Sequence, residues 1–390
     1  MKDFKELEEY ILKNRHYLHK HPELGFNCVN TNKFIKEQLN LLGIKYHDYV
    51  GKYSIVGVIE NGIGPIIGLR ADFDALPIQE ETNLEFKSVN KGVMHACGHD
   101  THTSMLLGVA KYLSENKDKW QGTVKLIFQE AEEGPSPGGA IGIVKSGLLD
   151  DVEAFYAFHI STDDEAGLFL INKGEALAAA DTIKIIFHGL GTHAAYPHLG
   201  IDPIIMQAEF ITAVQTLVSR KKNPMEKGVI TIAKVKAGTT HNIIPDTACL
   251  EGTVRTFFES TRTMFEEGIK RLAENIASSH GGKAEVKYIR GYNALINTEN
   301  EALNFIEAAK PVFGKENIRV LKNPSMGAED FSYYVNLKKG AMAWLGAGFK
   351  DRYNYPIHHS KMEVDESVLI KGCLTLINLV TRMGEKNVFN

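Results

Sequence analysis

The sequence predicts an α/β protein whose central mixed sheet, flanked by helices, is interrupted by a smaller α+β insertion of ferredoxin-like βαββαβ order. Three observations predict it. The runs PIIGLRAD and TVKLIFQ are almost wholly apolar, as strands buried on both faces are. Such runs alternate with helical segments of 3.6-residue periodicity. Near residue 180 the pattern changes to one compact strand–helix–strand–strand–helix–strand order before α/β alternation resumes. At 390 residues the chain exceeds what a single core sustains. The expected division is a discontinuous domain of residues 1–179 and 293–390, with an inserted domain of residues 180–292.

In chain order, Phe4, Leu7, Ile11 and Leu18 form the apolar stripe of a first helix, which HPELGF ends at Pro22 and Gly25. Its His16, His19 and His21 are expected on the solvated face. A second helix over 31–42 stops at Gly43. Strands follow at YSIVGVIE and PIIGLRAD, then a helix over TSMLLGVAKYL, and strands at TVKLIFQ and VEAFYAFHI, the last ending in His159. In the insertion, DTIKIIFHG alternates as a half-buried strand does. DPIIMQAEFITAVQTLVSR reads as a helix, GVITIAKVKAG and TACLEGTVRTF as strands, STRTMFEEGIKRLAENIASS as a helix and AEVKYIRGY as a strand. The remainder is a helix over 301–313, strands at IRVL and AMAWLGAG, and a final helix from about Ser367.

Composition narrows the function classes. A net charge of −4 with mixed signs argues against a nucleic-acid or anionic-membrane surface, and small molecules are the expected partners. The four cysteines are too few and too scattered for a disulfide framework. Neither an apolar signal core at the start nor a run of 18 apolar residues is found, so a cytoplasmic location is expected.

The chemistry concentrates in MHACGHD. His95, Cys97 and His99 alternate, so an extended backbone projects all three to one side, just before a helix start that favours a thiolate. Two readings stand here: a metal-ligand set, or a buried structural cysteine beside surface histidines. Asp72 and Asp74 follow a strand, either as site residues at its carboxyl end or as turn residues. Glu132 and Glu133, also after a strand, point opposite ways if extended, which suits one metal ligand and one proton shuttle; an acidic surface loop is the competing reading. His193 and His198 lie in a glycine-rich loop of the insertion, as projecting or incidental histidines.

The ordered set HKHPELGF, LRADFDALPI, MHACGHDTHT, FQEAEEG with GGA, FHI, GTHAAYPH with DP, HNIIPD with LEGTVRT, GAEDF and IHHSKMEVDE covers nearly the whole chain. It resembles the metal-dependent amidohydrolases of the aminoacylase and glutamate-carboxypeptidase family, in the branch of hippurate hydrolase, auxin-conjugate hydrolases and N-acetyl-diaminopimelate deacetylase. The resemblance implies a zinc-peptidase-like catalytic domain, with the insertion serving as a lid and dimerisation domain. It implies two divalent metal ions per subunit (zinc, manganese, cobalt or nickel) held by Cys97, His99, Glu133, His159 and His358. Glu132 is then the general base, Asp74 orients the site, and His193 donates to the oxyanion across a homodimer. Asn242 and Arg255 hold the substrate's free carboxylate.

Three residues depart from the family's pattern: Glu130 and Ser360 stand where relatives often have Pro, and Leu190 where they have Lys. Glu130 is expected to add charge beside the base. None removes a ligand, so the implied activity is hydrolysis of N-acyl-L-amino acids. Alternatives are an N-acetyl-diaminopimelate deacetylase, a dipeptidase, or a catalytically idle binder of metal or amino-acid conjugates.

Overall fold

The computed structural model describes residues 4–386. The chain divides into two compact units. One comprises the residues up to Ala176, Ile296–Pro324 and the chain from Asp330; the other comprises Leu177–Leu295 and Ser325–Glu329.

The first unit is built on an eight-stranded mixed sheet. Its order is Lys45–Val50, Ser54–Asn61, Gly122–Gln129, Ile66–Asp72, Ala154–Glu165, Lys339–Gly348, Phe169–Ile171 and Ile318–Val320. The central strands are parallel: Ile66–Asp72 lies between Gly122–Gln129 and Ala154–Glu165, and Ala154–Glu165 also pairs with Lys339–Gly348. Ile67, Leu69, Val124, Leu126, Phe128, Tyr156 and Phe158 are all buried, which accounts for the unbroken apolar runs. Helices Lys5–Lys20, Val29–Leu41, His99–Glu115, Glu299–Phe313 and Leu369–Lys386 contribute to the core that packs on this sheet. Residues Glu366–Gly384 are apolar enough by composition to cross a membrane, yet Leu369, Cys373, Leu376 and Val380 on this stretch are packed inside the core.

Register decides where the site forms. Asp72 pairs with Gln129, so the two neighbouring strands end level and release their next residues side by side. Ala157 pairs with Arg70, which puts His159 beside the same edge. That strand does not end at His159 as the sequence suggests; it continues to Glu165, paired with Lys339–Gly348.

The second unit is a four-stranded antiparallel sheet in the order Gly228–Ala237, Thr247–Thr256, Ala179–His188 and Lys283–Arg290. Helices Pro203–Thr216 and Glu259–Ser279 pack on one face, where Ile183, Ile185, Phe187, Phe210, Leu250, Val254 and Phe265 form a separate core. The alternation along DTIKIIFHG is the alternation of this face with solvent. Asp202 caps the first helix, accepting the Ile204 N–H at 2.8 Å, with Pro203 at its first position.

Candidate metal centre

Three segments and one strand bring five predicted donors of the first unit together. The 95–98 stretch ends at Gly98, whose φ of +96° starts the helix His99–Glu115. A Cβ there would lie 2.4 Å from Ile160 Cγ1, so the turn that separates Cys97 from His99 requires glycine. Donor atoms of Cys97, His99 and His159 lie within 4.8 Å of one another, as do those of Cys97, Glu133 and His358, and those of His99, Glu132 and Glu133. Cys97 Sγ is 3.3 Å from His159 Nε2, and His358 Nε2 is 3.1 Å from Glu133 Oε1. His95 does not join them: it is buried, and neither ring nitrogen has a hydrogen-bond partner among the described residues.

His358 enters from a left-handed backbone position, φ +66°, with its N–H donating to Ala96 O at 2.6 Å. Ala131, directly before Glu132, also has positive φ. Two of the three non-glycine residues with positive φ among the described residues therefore sit on donor-bearing segments. His359 turns away, stacking on Tyr355 with ring centroids 4.5 Å apart.

Behind the donors, carboxylates are tied off. Asp74 accepts the backbone N–H groups of Glu132 and Glu133 at 2.9 and 3.1 Å and lies 3.3 Å from His99 Nδ1. Asp72 accepts from Arg70 Nη1 and His102 Nδ1, both at 2.6 Å, while His102 Nε2 accepts the Ile160 N–H at 3.0 Å. Those bonds fix the His102 tautomer and occupy both nitrogens. Arg70 also donates to Asp330 at 2.8 Å. Arg70, His102 and Asp330 carry no local sequence signal: Arg70 and Asp72 share a strand, but His102 and Asp330 reach them from 30 and 260 residues away.

Electrostatics show what the pocket is suited to hold. Burial, then the carboxylates of Glu133, Glu132 and Asp72, push the Cys97 thiol well above its ordinary range, overriding the helix start expected to favour a thiolate. Burial lowers the pKa of His159 to about 3, leaving a neutral imidazole. Burial opposes a proton on His99, yet Asp72, Asp74 and Glu133 raise its pKa to about 10. Glu133, despite burial, is held below the usual range by His358 and His99. The pocket thus gathers negative charge around buried nitrogen and sulfur donors, and the His99 nitrogens stand at ion-pair distance from carboxylates without hydrogen-bond geometry. This donor set fits a divalent metal, which takes thiolate, neutral imidazole and carboxylate.

Residues 68–382 match the model of peptidase family M20/M25/M40. The chain belongs to that family. This M20 hydrolase is 38% identical to thermostable carboxypeptidase 1 of Saccharolobus solfataricus, with 98% of each chain covered. It is also 38% identical to the N-acetyl-L-cysteine deacetylase of Bacillus subtilis, covering 98% of this chain and 90% of that one. Among solved structures it is similar to the Bacillus subtilis YxeP protein, described as a dinuclear metal-binding peptidase of the M20 family. The TM-score is 0.84 at 33% identity, with 98% of this chain and 99% of that chain covered.

The second unit carries the other predicted residues of this M20 chain. His193 is exposed, its Nδ1 accepting the Ala195 N–H at 3.0 Å. Its strand Thr192–His193 pairs with Ile243–Ile244, and the carbonyl of exposed Asn242 accepts the Ala194 N–H at 3.0 Å. Arg255, on the strand Thr247–Thr256, is half-buried and donates to Thr253 Oγ1 and the Val254 carbonyl.

Glu130 and His19 are both buried and hydrogen-bonded. The Glu130 carboxylate accepts the N–H groups of Lys52 and Tyr53 at 2.7 and 2.8 Å. His19 is not on a solvated face but 1% exposed, with Nδ1 2.8 Å from Asp100 and Nε2 3.2 Å from Glu80. Two carboxylates on the two ring nitrogens favour the form in which both nitrogens donate. Against the opposing effect of burial, Asp100 and Glu80 raise its pKa.

Proposed function

We propose that this protein hydrolyses the amide bond of N-acyl-L-amino acids, releasing a carboxylate and the free amino acid. The observation that carries the reading is the convergence of Cys97, His99, Glu133, His159 and His358 beside Glu132. These five are the proposed ligands of two divalent ions; the mixed thiolate, imidazole and carboxylate set suits zinc, manganese, cobalt or nickel. Bound there, the ions supply Lewis-acid polarisation of the carbonyl and a water of lowered pKa.

The chain's own groups perform the rest. Glu132 takes the proton at its carboxylate and returns it to the leaving amine. Asp74 holds the 132–133 turn and the His99 ring. His193 supplies a donor to the oxyanion, across a homodimer formed through the second unit. Arg255, whose guanidinium donates to Thr253 Oγ1 and the Val254 carbonyl, and Asn242 receive the amino acid's carboxylate.

An N-acetyl-L-cysteine deacetylase at 38% identity supports an acyl amino acid as substrate, whereas carboxypeptidases at the same identity support a second reading, peptide hydrolysis with the same groups. N-acetyl-diaminopimelate remains within the first reading. The test is amine release from N-acetyl, N-benzoyl and indole-acetyl amino acids, N-acetyl-diaminopimelate and dipeptides, with chelator-stripped protein reloaded with each ion in turn. Metal-dependent release favouring acyl amino acids is the expected result. Release from dipeptides alone establishes the second reading, and no release with any ion overturns both.

A further inference from the structure

Between the first helix and the candidate metal centre lies a buried charge cluster that the proposed chemistry does not use. Arg15 and His19 stand one turn apart on the helix Lys5–Lys20, so their side chains share a face. Arg15 Nε donates to Asp100 Oδ2 at 3.0 Å and its Nη1 to Glu366 Oε1 at 2.6 Å. His19 bridges the same Asp100 oxygen and Glu80. Phe86 closes the cluster, stacked on His16 at 3.8 Å and lying under the Arg15 guanidinium at 4.9 Å.

Each acidic partner belongs to a different segment of the candidate centre. Asp100 directly follows His99; Glu80 is on the connection that leaves Asp74; Glu366 is on the segment that leaves His358. The last two segments are also stitched together, since Ser360 Oγ donates to Glu81 at 2.9 Å and the Glu81 N–H donates to Ser360 O at 2.8 Å.

We propose that Arg15 and His19 are positioning residues that set the mutual spacing of the three segments bearing His99, Asp74 and His358, and thereby the geometry of the metal centre. The inference rests on the metal reading above. Arg15, His19, Asp100 and Glu80 are each no more than 7% exposed. Burying ions is costly, and apolar residues of similar volume serve a core as well or better. What an apolar contact does not supply is directionality: a planar fork and an imidazole bonded through both nitrogens hold three carboxylates at defined angles. Partners of this kind behind a metal site orient its ligands and tune affinity.

The test titrates the full-length, chelator-stripped chain with Co²⁺, whose visible absorption reports ligand number and symmetry. Wild type is expected to bind two ions. Arg15→Lys keeps the charge but loses the fork, and is expected to weaken at least one ion by about 10- to 100-fold. Its absorption bands should change while its thermal midpoint before metal addition stays close to wild type. Glu366→Gln, at the most exposed of the three carboxylates, is expected to move affinity and spectrum in the same direction. If Arg15→Lys fails to fold, Glu366→Gln decides. Wild-type affinity and spectrum in the variants that fold overturn the inference while leaving the metal reading intact. Absence of Co²⁺ binding by wild type overturns both.

Discussion

The carboxylate of Asp74 receives the backbone N–H of Glu132 on one oxygen, at 2.9 Å, and that of Glu133 on the other, at 3.1 Å. One buried side chain therefore orients two consecutive residues for which different roles are proposed, a base and a ligand. The bonds exist because Asp72 and Gln129 end their parallel strands in register, which brings the two chain segments past the sheet edge together.

Asp74→Asn tests that relationship. The amide preserves shape and one acceptor but turns an N–H toward a backbone N–H, so one of the two bonds is lost. Turnover is expected to fall about 10- to 100-fold, the usual scale for groups behind a metal site. The far-ultraviolet circular dichroism should be unchanged. Wild-type turnover in the variant would show that the 132–133 turn holds its geometry without Asp74.

How much of this was legible in the sequence varies with the range of the interaction. Strand and helix placement followed from local periodicity, since Ile183, Ile185 and Phe187 face one core and Thr182 and Lys184 do not. The same reasoning ended a strand at His159, because the partner that carries it on, Lys339–Gly348, is distant in sequence. The partners of Glu130, N–H groups of a turn on another strand pair, are likewise out of reach of local periodicity. Reading His19 as solvated followed polarity alone, yet Leu7, Ile11, Arg15 and His19 form one i, i+4 row, and an apolar row that continues into ionisable residues was the available signal.

Asp48 provides a pH-dependent stability test away from the candidate centre. Burial opposes its ionisation, but Asn32 Nδ2 at 2.8 Å, Lys36 Nζ at 2.6 Å and the Tyr49 N–H at 2.8 Å hold its pKa below the ordinary 3.8. The folded state thus binds this proton more weakly than the unfolded chain does. Its contribution is complete above the unfolded value and is lost as pH falls through the folded one. Urea denaturation of wild type and Asp48→Asn should show the variant less stable near neutral pH. The gap should close below roughly pH 4. A gap that does not vary with pH would assign the difference to packing rather than to charge.

Glu132→Gln separates a hydrolase from a protein that only binds metal or amino-acid conjugates. Glutamine fills the same volume at a position 7% exposed, but its amide does not carry a proton between water and a leaving amine. General-base catalysis contributes about 10²- to 10⁴-fold, so turnover of acyl amino acids should fall by that order. Because Cys97, His99, Glu133, His159 and His358 remain, the variant should bind the same number of ions as wild type. Lost turnover with retained metal supports the base assignment. Joint loss of turnover and metal would place Glu132 among the ligands, and retained turnover would assign the proton transfer to another group.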